Sequence, residues 1–168
     1  MGNEWAMSQY GKCLAEGIGV KANPAEAVKW FIKGAEGGNT WCKMQVAKFY
    51  LTGFGVEKDE SMSRRWLDKV EAAAEKDLGD GIHMLSEFYR DGYKGLGKDP
   101  ARAFKYAQMA ADRKWCWGYR HLARCHAEGV GTPRDVAKAR ECLNKALEEC
   151  GKDSKFKPEI ENELKKLK

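Results

Sequence analysis

The sequence lacks the segments that would carry a chain into or across a membrane. No apolar run approaches the roughly 20 residues that a membrane-spanning helix needs. The first six residues, MGNEWA, contain no basic stretch followed by an apolar one, so no signal peptide is visible. They also miss the myristoylation pattern, because Ala6 stands where serine or threonine is required. We therefore expect a cytoplasmic protein.

Neither sign of charge dominates the composition. Thirty Lys and Arg residues face 25 Asp and Glu residues, and the net charge of +5 is spread along the chain. That distribution is typical of a solvated surface and excludes a nucleic-acid polycation. The 168 residues, 43% of them hydrophobic, are enough for one domain, which at this size buries roughly 70% of its unfolded surface. We predict a single domain over residues 1–168.

The sequence contains an internal repeat. No segment alternates with a period of two, so strands are not expected. Glycines lead a recurring phrase at intervals of 36, 39 and 37 residues: Gly17, Gly53, Gly92 and Gly129. A second anchor follows each at intervals of 36, 40 and 36 residues: Trp30, Trp66, Tyr106 and Cys142. We predict four repeats, at about 5–38, 39–78, 79–114 and 115–150.

Each repeat is predicted to form two helices. In the first, a small residue is followed by an apolar one at i+4, a small one at i+5 and a large one at i+8, as in Cys42, Val46, Ala47 and Tyr50. These spacings share one helical stripe, and the small i+5 residue would let a partner helix approach closely. Glycines such as Gly17 would end this helix. The second helix would be capped by Asp59, Asp99 and Asp135 in repeats two to four.

The last residues are predicted to form a capping helix over about 157–168. Ile160, Leu164 and Leu167 follow the spacing i, i+4, i+7, and the acidic start and basic end of this stretch suit the helix dipole. Such a helix would cover the apolar face of the fourth repeat.

The repeat resembles the Sel-1-like repeat, a relative of the tetratricopeptide repeat. The first copy is the nearest match, through GIGV at 17–20, Ala27, Trp30 and Lys33, whereas the third copy departs from the G-x-G-V loop. The resemblance covers about residues 5–150. It implies an all-α, right-handed α-solenoid of about four helix-turn-helix repeats, and a non-catalytic scaffold or adaptor that brings proteins together.

Motifs for catalysis or cofactors are largely missing. Residues 92–99 nearly match a P-loop, but Asp99 stands where a hydroxyl should hold magnesium, and a helix precedes the motif. The three histidines show no catalytic spacing, and His126 occupies a large-residue position of the repeat, which predicts a packing role. We expect no enzyme activity, no metal and no cofactor.

The six cysteines include no C-x-x-C pair. Cys13, Cys42, Cys125 and Cys142 occupy positions that are apolar in other copies, which favours buried free thiols. Cys116 and Cys150 do not fit this interpretation.

If the tetratricopeptide geometry applies, equivalent positions of the first helices form rows along a concave face. A first row, just before the small residue, contains Trp5, Trp41, Asp80 and Trp117. A second row, two residues after it, contains Ser8, Met44, His83 and Arg120. A third row, after the i+5 residue, contains Lys12, Lys48, Glu87 and Arg124.

Tryptophan and arginine are enriched at binding hot spots, so the rows predict a groove for a protein or peptide segment. The basic residues of the third row favour an acidic partner. The alternative is that the tryptophans pack between repeats and that the basic row is a solvated helix face.

Two further interpretations stay open. The chain could be a disulfide-tied extracytoplasmic repeat protein with penicillin-binding or β-lactamase-like activity, as the resemblance allows. It could also be a fragment of a longer array, because Trp5 opens the first helix with no polar cap ahead of it. The same exposed start would permit self-association through the N-terminal end.

Overall fold

The computed structural model describes residues 3–76, 79–93, 97–151 and 156–167, without the side chains of residues 79 and 80. Within these ranges the regular structure is helical, which confirms the all-α prediction. The nine described helices are α1 Glu4–Glu16, α2 Pro24–Glu36, α3 Thr40–Thr52, α4 Glu60–Glu75, α5 Gly79–Asp91, α6 Pro100–Asp112, α7 Cys116–Glu128, α8 Val136–Glu149 and α9 Lys157–Lys166. None of them is long and apolar enough to cross a membrane.

The helix ends follow the predicted capping residues. The side chains of Asp59, Asp99 and Asp135 each accept a hydrogen bond from a backbone amide three residues later, at the starts of α4, α6 and α8. Gly17 ends α1 in the left-handed conformation, at φ 73°. The expectation that α1 lacks a polar cap is wrong, because the Asn3 side chain accepts from the Ala6 amide at 3.0 Å.

Residues 1–81 form one compact unit, in which α1 packs on α2, α2 on α3 and α3 on α4. The small residues predicted at i+5 are where helices approach each other. A Cβ on Gly11 would lie 3.1 Å from the Phe31 ring, and Ala47 is fully buried. Val28, Phe31 and Val70 are buried with them.

Residues 82–168 form a second compact unit, in which α6 packs on α7, α7 on α8 and α8 on α9. The predicted capping helix is confirmed: Ile160 of α9 is fully buried in a cluster with Ala123, Leu143 and Ala146. Gly118 marks a close approach, since a Cβ there would lie 2.5 Å from the backbone of Ala110. That the two units act as a single domain stays a prediction.

The cysteines divide into two groups. Cys13, Cys42, Cys125 and Cys142 are free thiols, as predicted, but only Cys42 and Cys125 are buried, whereas Cys13 and Cys142 are half-buried. Burial raises the pKa of Cys42 and of Cys125 to about 11. Cys116 and Cys150, which the repeat pattern does not explain, are joined by a disulfide with a Cα–Cα distance of 5.2 Å. The bond connects the start of α7 to the end of α8, so the thiol interpretation does not extend to all six cysteines.

Candidate functional site

The first predicted row leaves two tryptophans exposed on the first unit. Trp5 is 67% exposed and Trp41 is 37% exposed. Glu4 precedes Trp5 in the sequence and Cys42 follows Trp41, and both lie next to Gly34. A Cβ added to Gly34 would be 3.6 Å from the Glu4 carbonyl oxygen and 2.8 Å from the Cys42 sulfur. The beginnings of α1 and α3 are therefore close together, and each presents a tryptophan.

Trp41 is held in place by an aromatic neighbour. Its ring lies 5.4 Å from the Phe31 ring, which in turn lies 5.1 Å from Phe49. Such ring pairs fix the orientation of a side chain and leave part of its surface open. Asp80 of the same row lies outside the described side chains.

The second row is mostly unavailable to a partner. Met44 is 1% exposed, and Ser8 is buried with its hydroxyl donating to the Trp5 carbonyl oxygen at 2.7 Å. The assignment of Met44 to a binding surface is therefore corrected: the side chain belongs to the core. The same repeat position is buried in repeats one and two and half-buried in repeats three and four.

Two arginines of the second unit already contact a carboxylate of the same chain. Arg120 donates to Glu163 Oε1 from Nε at 3.0 Å and from Nη2 at 2.8 Å. Arg124 donates to the same oxygen from Nε at 3.2 Å and also from Nη2. The carboxylate that contacts Arg124 in this structure belongs to α9 of the same chain, and the acidic partner stays a prediction.

The electrostatics of Glu163 reflect this pairing. Burial opposes the charged form, but the hydrogen bonds from Arg120 and Arg124 outweigh it and hold the pKa of the carboxyl below its ordinary value. Arg120 also pairs with Glu159, one turn earlier on α9. The two arginines are therefore engaged in holding the capping helix.

The lysines of the third row have different surroundings. Lys12 on α1 is exposed, and Lys48 on α3 is half-buried. Both belong to the same unit as Trp5 and Trp41. The basic and aromatic rows thus share the first helices of repeats one and two.

Histidines and an acidic side chain meet on the second unit. His121 Nε2 lies 3.1 Å from His83 Nδ1, and His83 Nε2 lies 3.8 Å from Glu87 Oε2. Trp117 packs against both rings, with centroid distances of 4.8 Å to His83 and 5.8 Å to His121. The predicted residues His83, Glu87 and Trp117 are therefore neighbours, and His121 joins them.

Burial dominates the chemistry of His121. It lowers the pKa of the imidazole to about 3, and the nearby His83 and Arg90 add to the effect. Sequence reasoning missed this cluster because His83 stands two residues after the small residue of its repeat and His121 three. The available signal was that both belong to first helices of consecutive repeats.

The remaining predictions concern His126 and the P-loop-like segment. His126 is buried and meets the Phe104 ring edge-on at 5.7 Å, which confirms its packing role. Residues 94–96 of the segment 92–99 lie outside the described residues.

Comparisons with known proteins identify the repeats. The Sel1 repeat profile matches residues 6–39, 43–69, 79–114 and 118–149. No curated protein matches the sequence. The fold is similar to a crystal structure of a Sel1 repeat protein from Oxalobacter formigenes, with a TM-score of 0.67, 26% identity, and coverage of 96% of this chain and 62% of that one.

A second similar structure is c5321, a protective antigen of uropathogenic Escherichia coli with an SLR fold. Its TM-score is 0.62 at 24% identity, with coverage of 97% of this chain and 33% of that one. The chain thus spans 62% and 33% of the lengths of these two neighbours. These comparisons do not support the penicillin-binding or β-lactamase-like activity of the alternative interpretation. Because the profile matches extend over most of the sequence, in all four predicted repeats, the chain belongs to the Sel1 repeat family.

Proposed function

We propose that this chain is a non-catalytic interaction module that binds an acidic segment of a partner protein on its first unit. The binding surface is formed by Trp5 and Lys12 of α1 and by Trp41 and Lys48 of α3. Sel1 repeats are commonly protein-interaction scaffolds, which supports the general class. The choice of surface rests on the exposed side chains of Trp5, Trp41 and Lys12.

The exposure of the two tryptophans is the observation that carries the proposal. A tryptophan side chain can bury 150–250 Å², and Trp5 leaves two thirds of its surface in water. Covering that area would contribute about 3 kcal/mol at the usual value per unit of apolar area. Large exposed aromatic groups beside a rigid neighbour such as Phe31 are typical of binding hot spots.

The preference for an acidic segment rests on charge and on an internal parallel. Lys12 and Lys48 occupy the repeat position that Arg124 occupies in the fourth repeat. Arg124 contacts a carboxylate presented by a helix, Glu163 of α9. An acidic residue on a partner helix would meet the lysines of the first unit in the same way.

The test is affinity capture from native lysate, followed by calorimetry of each captured protein with the purified chain. Trp5→Ser should weaken the affinity at least about tenfold, since hot-spot truncations cost 2 kcal/mol or more. Ile18→Ser is the matched control, because Ile18 is an exposed apolar residue of the same unit outside the rows.

The charge of the surface is tested separately. Lys12→Glu should weaken binding and reduce its dependence on salt, because an attraction between opposite charges is lost. Lys21→Glu makes the same charge change at an exposed loop position of the same unit. Equal losses in both lysine variants, or none in Trp5→Ser, would contradict the proposed surface.

A further inference from the structure

We propose that His83, Glu87 and His121 form a binding site for a divalent transition-metal cation of the zinc type. This goes beyond the proposed function, because the cluster lies in the second unit and needs no protein partner. One potential ligand atom from each residue lies within 4.8 Å of the others. The cation would join α5 to α7, and therefore the third repeat to the fourth.

The distances suit a small coordination sphere. Two nitrogen ligands at 2.0–2.1 Å from a tetrahedral zinc ion are roughly 3.3 Å apart. His121 Nε2 and His83 Nδ1 are 3.1 Å apart, so a cation could bridge them with little movement of either ring. Glu87 Oε2 lies 3.8 Å from the other His83 nitrogen, Nε2, so its exposed side chain would rotate toward Nδ1 to complete the site. His83 and Glu87 are four residues apart on one helix, so both side chains lie on the same face. Two imidazoles and a carboxylate favour zinc and its late first-row neighbours over magnesium or calcium.

The surroundings provide both a rigid ligand and an open side. His121 is buried, and the Trp117 ring packs against both histidines, which restricts their rotation. The side chains of His83 and Glu87 are 42% and 48% exposed, so a hydrated cation can reach them. Water would complete the coordination at the exposed side. An apolar wall next to a metal site excludes competing water and stabilises the bound ligands.

The positive charge of Arg90 is expected to weaken the affinity of the site for a metal cation. Arg90 Nη1 lies 3.5 Å from His121 Nδ1, the nitrogen that would carry the proton once Nε2 binds a metal. Asp91 partly neutralises this guanidinium through hydrogen bonds of 2.7 and 2.6 Å. We therefore expect micromolar affinity, weaker than that of a structural zinc site.

The experiment is a titration of the EDTA-treated full chain with Co²⁺, followed by visible absorption, and with Zn²⁺, followed by calorimetry. One equivalent should bind. Glu87→Gln should weaken binding at least about tenfold, and His83→Gln should abolish it. Glu128→Gln is the matched control, an exposed glutamate on α7 outside the cluster, and should bind as the wild type does.

The outcomes that overturn the proposal are distinct. They are the absence of a saturable cobalt spectrum, wild-type affinity in His83→Gln, and a thiolate-to-cobalt charge-transfer band, which would identify cysteine ligands instead. Circular dichroism of each variant verifies folding. If His83→Gln does not fold, the metal affinity of Glu87→Gln tests the proposal. Partner capture is repeated in EDTA, so the two proposals succeed or fail independently.

Discussion

Arg124 of α7 and Glu163 of α9 form a partly buried ion pair that fastens the last helix to the fourth repeat. The arginine Nε donates to Glu163 Oε1 at 3.2 Å, and Arg120 donates to the same oxygen. A carboxylate that receives two guanidinium groups and has lost most of its water is held by charge-assisted hydrogen bonds. Together with buried Ile160, it explains why a helix of ten residues remains docked.

The first prediction concerns the removal of this negative charge. Glu163→Gln should lower the free energy of unfolding by about 2 kcal/mol, because two partly buried guanidinium groups lose a charged acceptor. Urea denaturation at neutral pH measures the change. Glu161→Gln is the control, since Glu161 is an exposed glutamate of the same helix. Equal effects of the two substitutions would contradict the assigned role of the ion pair.

The second prediction concerns the pH dependence of the same contribution. The folded-state pKa of Glu163 lies below its ordinary value of 4.5, so the unfolded state binds more protons in acid. Its stabilising contribution is therefore complete above about pH 4.5 and is lost as the pH falls through the folded pKa. The difference in unfolding free energy between wild type and Glu163→Gln should shrink over that range. A difference that stays constant from pH 7 to pH 3 would contradict this origin.

Much of the fold could be predicted because residues with the same structural role recur at the same position in several repeats. Asp59, Asp99 and Asp135 recur at one repeat position, and each caps a helix. Small residues likewise recur at i+5 of the first helices, because two helices approach each other there. A physical requirement shared by all copies is visible in one sequence.

Features that occur once could not be predicted in this way. Glu163 belongs to a helix outside the repeats, so no register aligns it with Arg120 and Arg124. His83 and His121 occupy different repeat positions and meet only through the packing of their helices. The core position of Met44 was also missed, because the equivalent positions hold serine, histidine and arginine.

The third prediction concerns the disulfide between Cys116 and Cys150. Mass spectrometry of the denatured, unreduced protein should find four labelled thiols and one disulfide. Reduction should lower the unfolding free energy by about 3–4 kcal/mol, the chain-entropy value for a separation of 34 residues. A Cys116→Ser/Cys150→Ser variant provides the control, since a reductant should leave its stability unchanged. Six labelled thiols in the wild type would contradict the assignment.

The last prediction concerns the contact between α6 and α7. In Gly118→Ala the added methyl group would lie 2.5 Å from the backbone carbon of Ala110 and 2.6 Å from its Cβ. Neither atom belongs to a flexible side-chain end, so the helices must separate, and we expect a loss of about 2 kcal/mol in unfolding free energy. Gly151→Ala is the matched control, because nothing lies within 4 Å of the equivalent Cβ position. Thermal unfolding of both variants tests this prediction. Equal melting temperatures for Gly118→Ala and Gly151→Ala would contradict the close contact between α6 and α7 at Gly118.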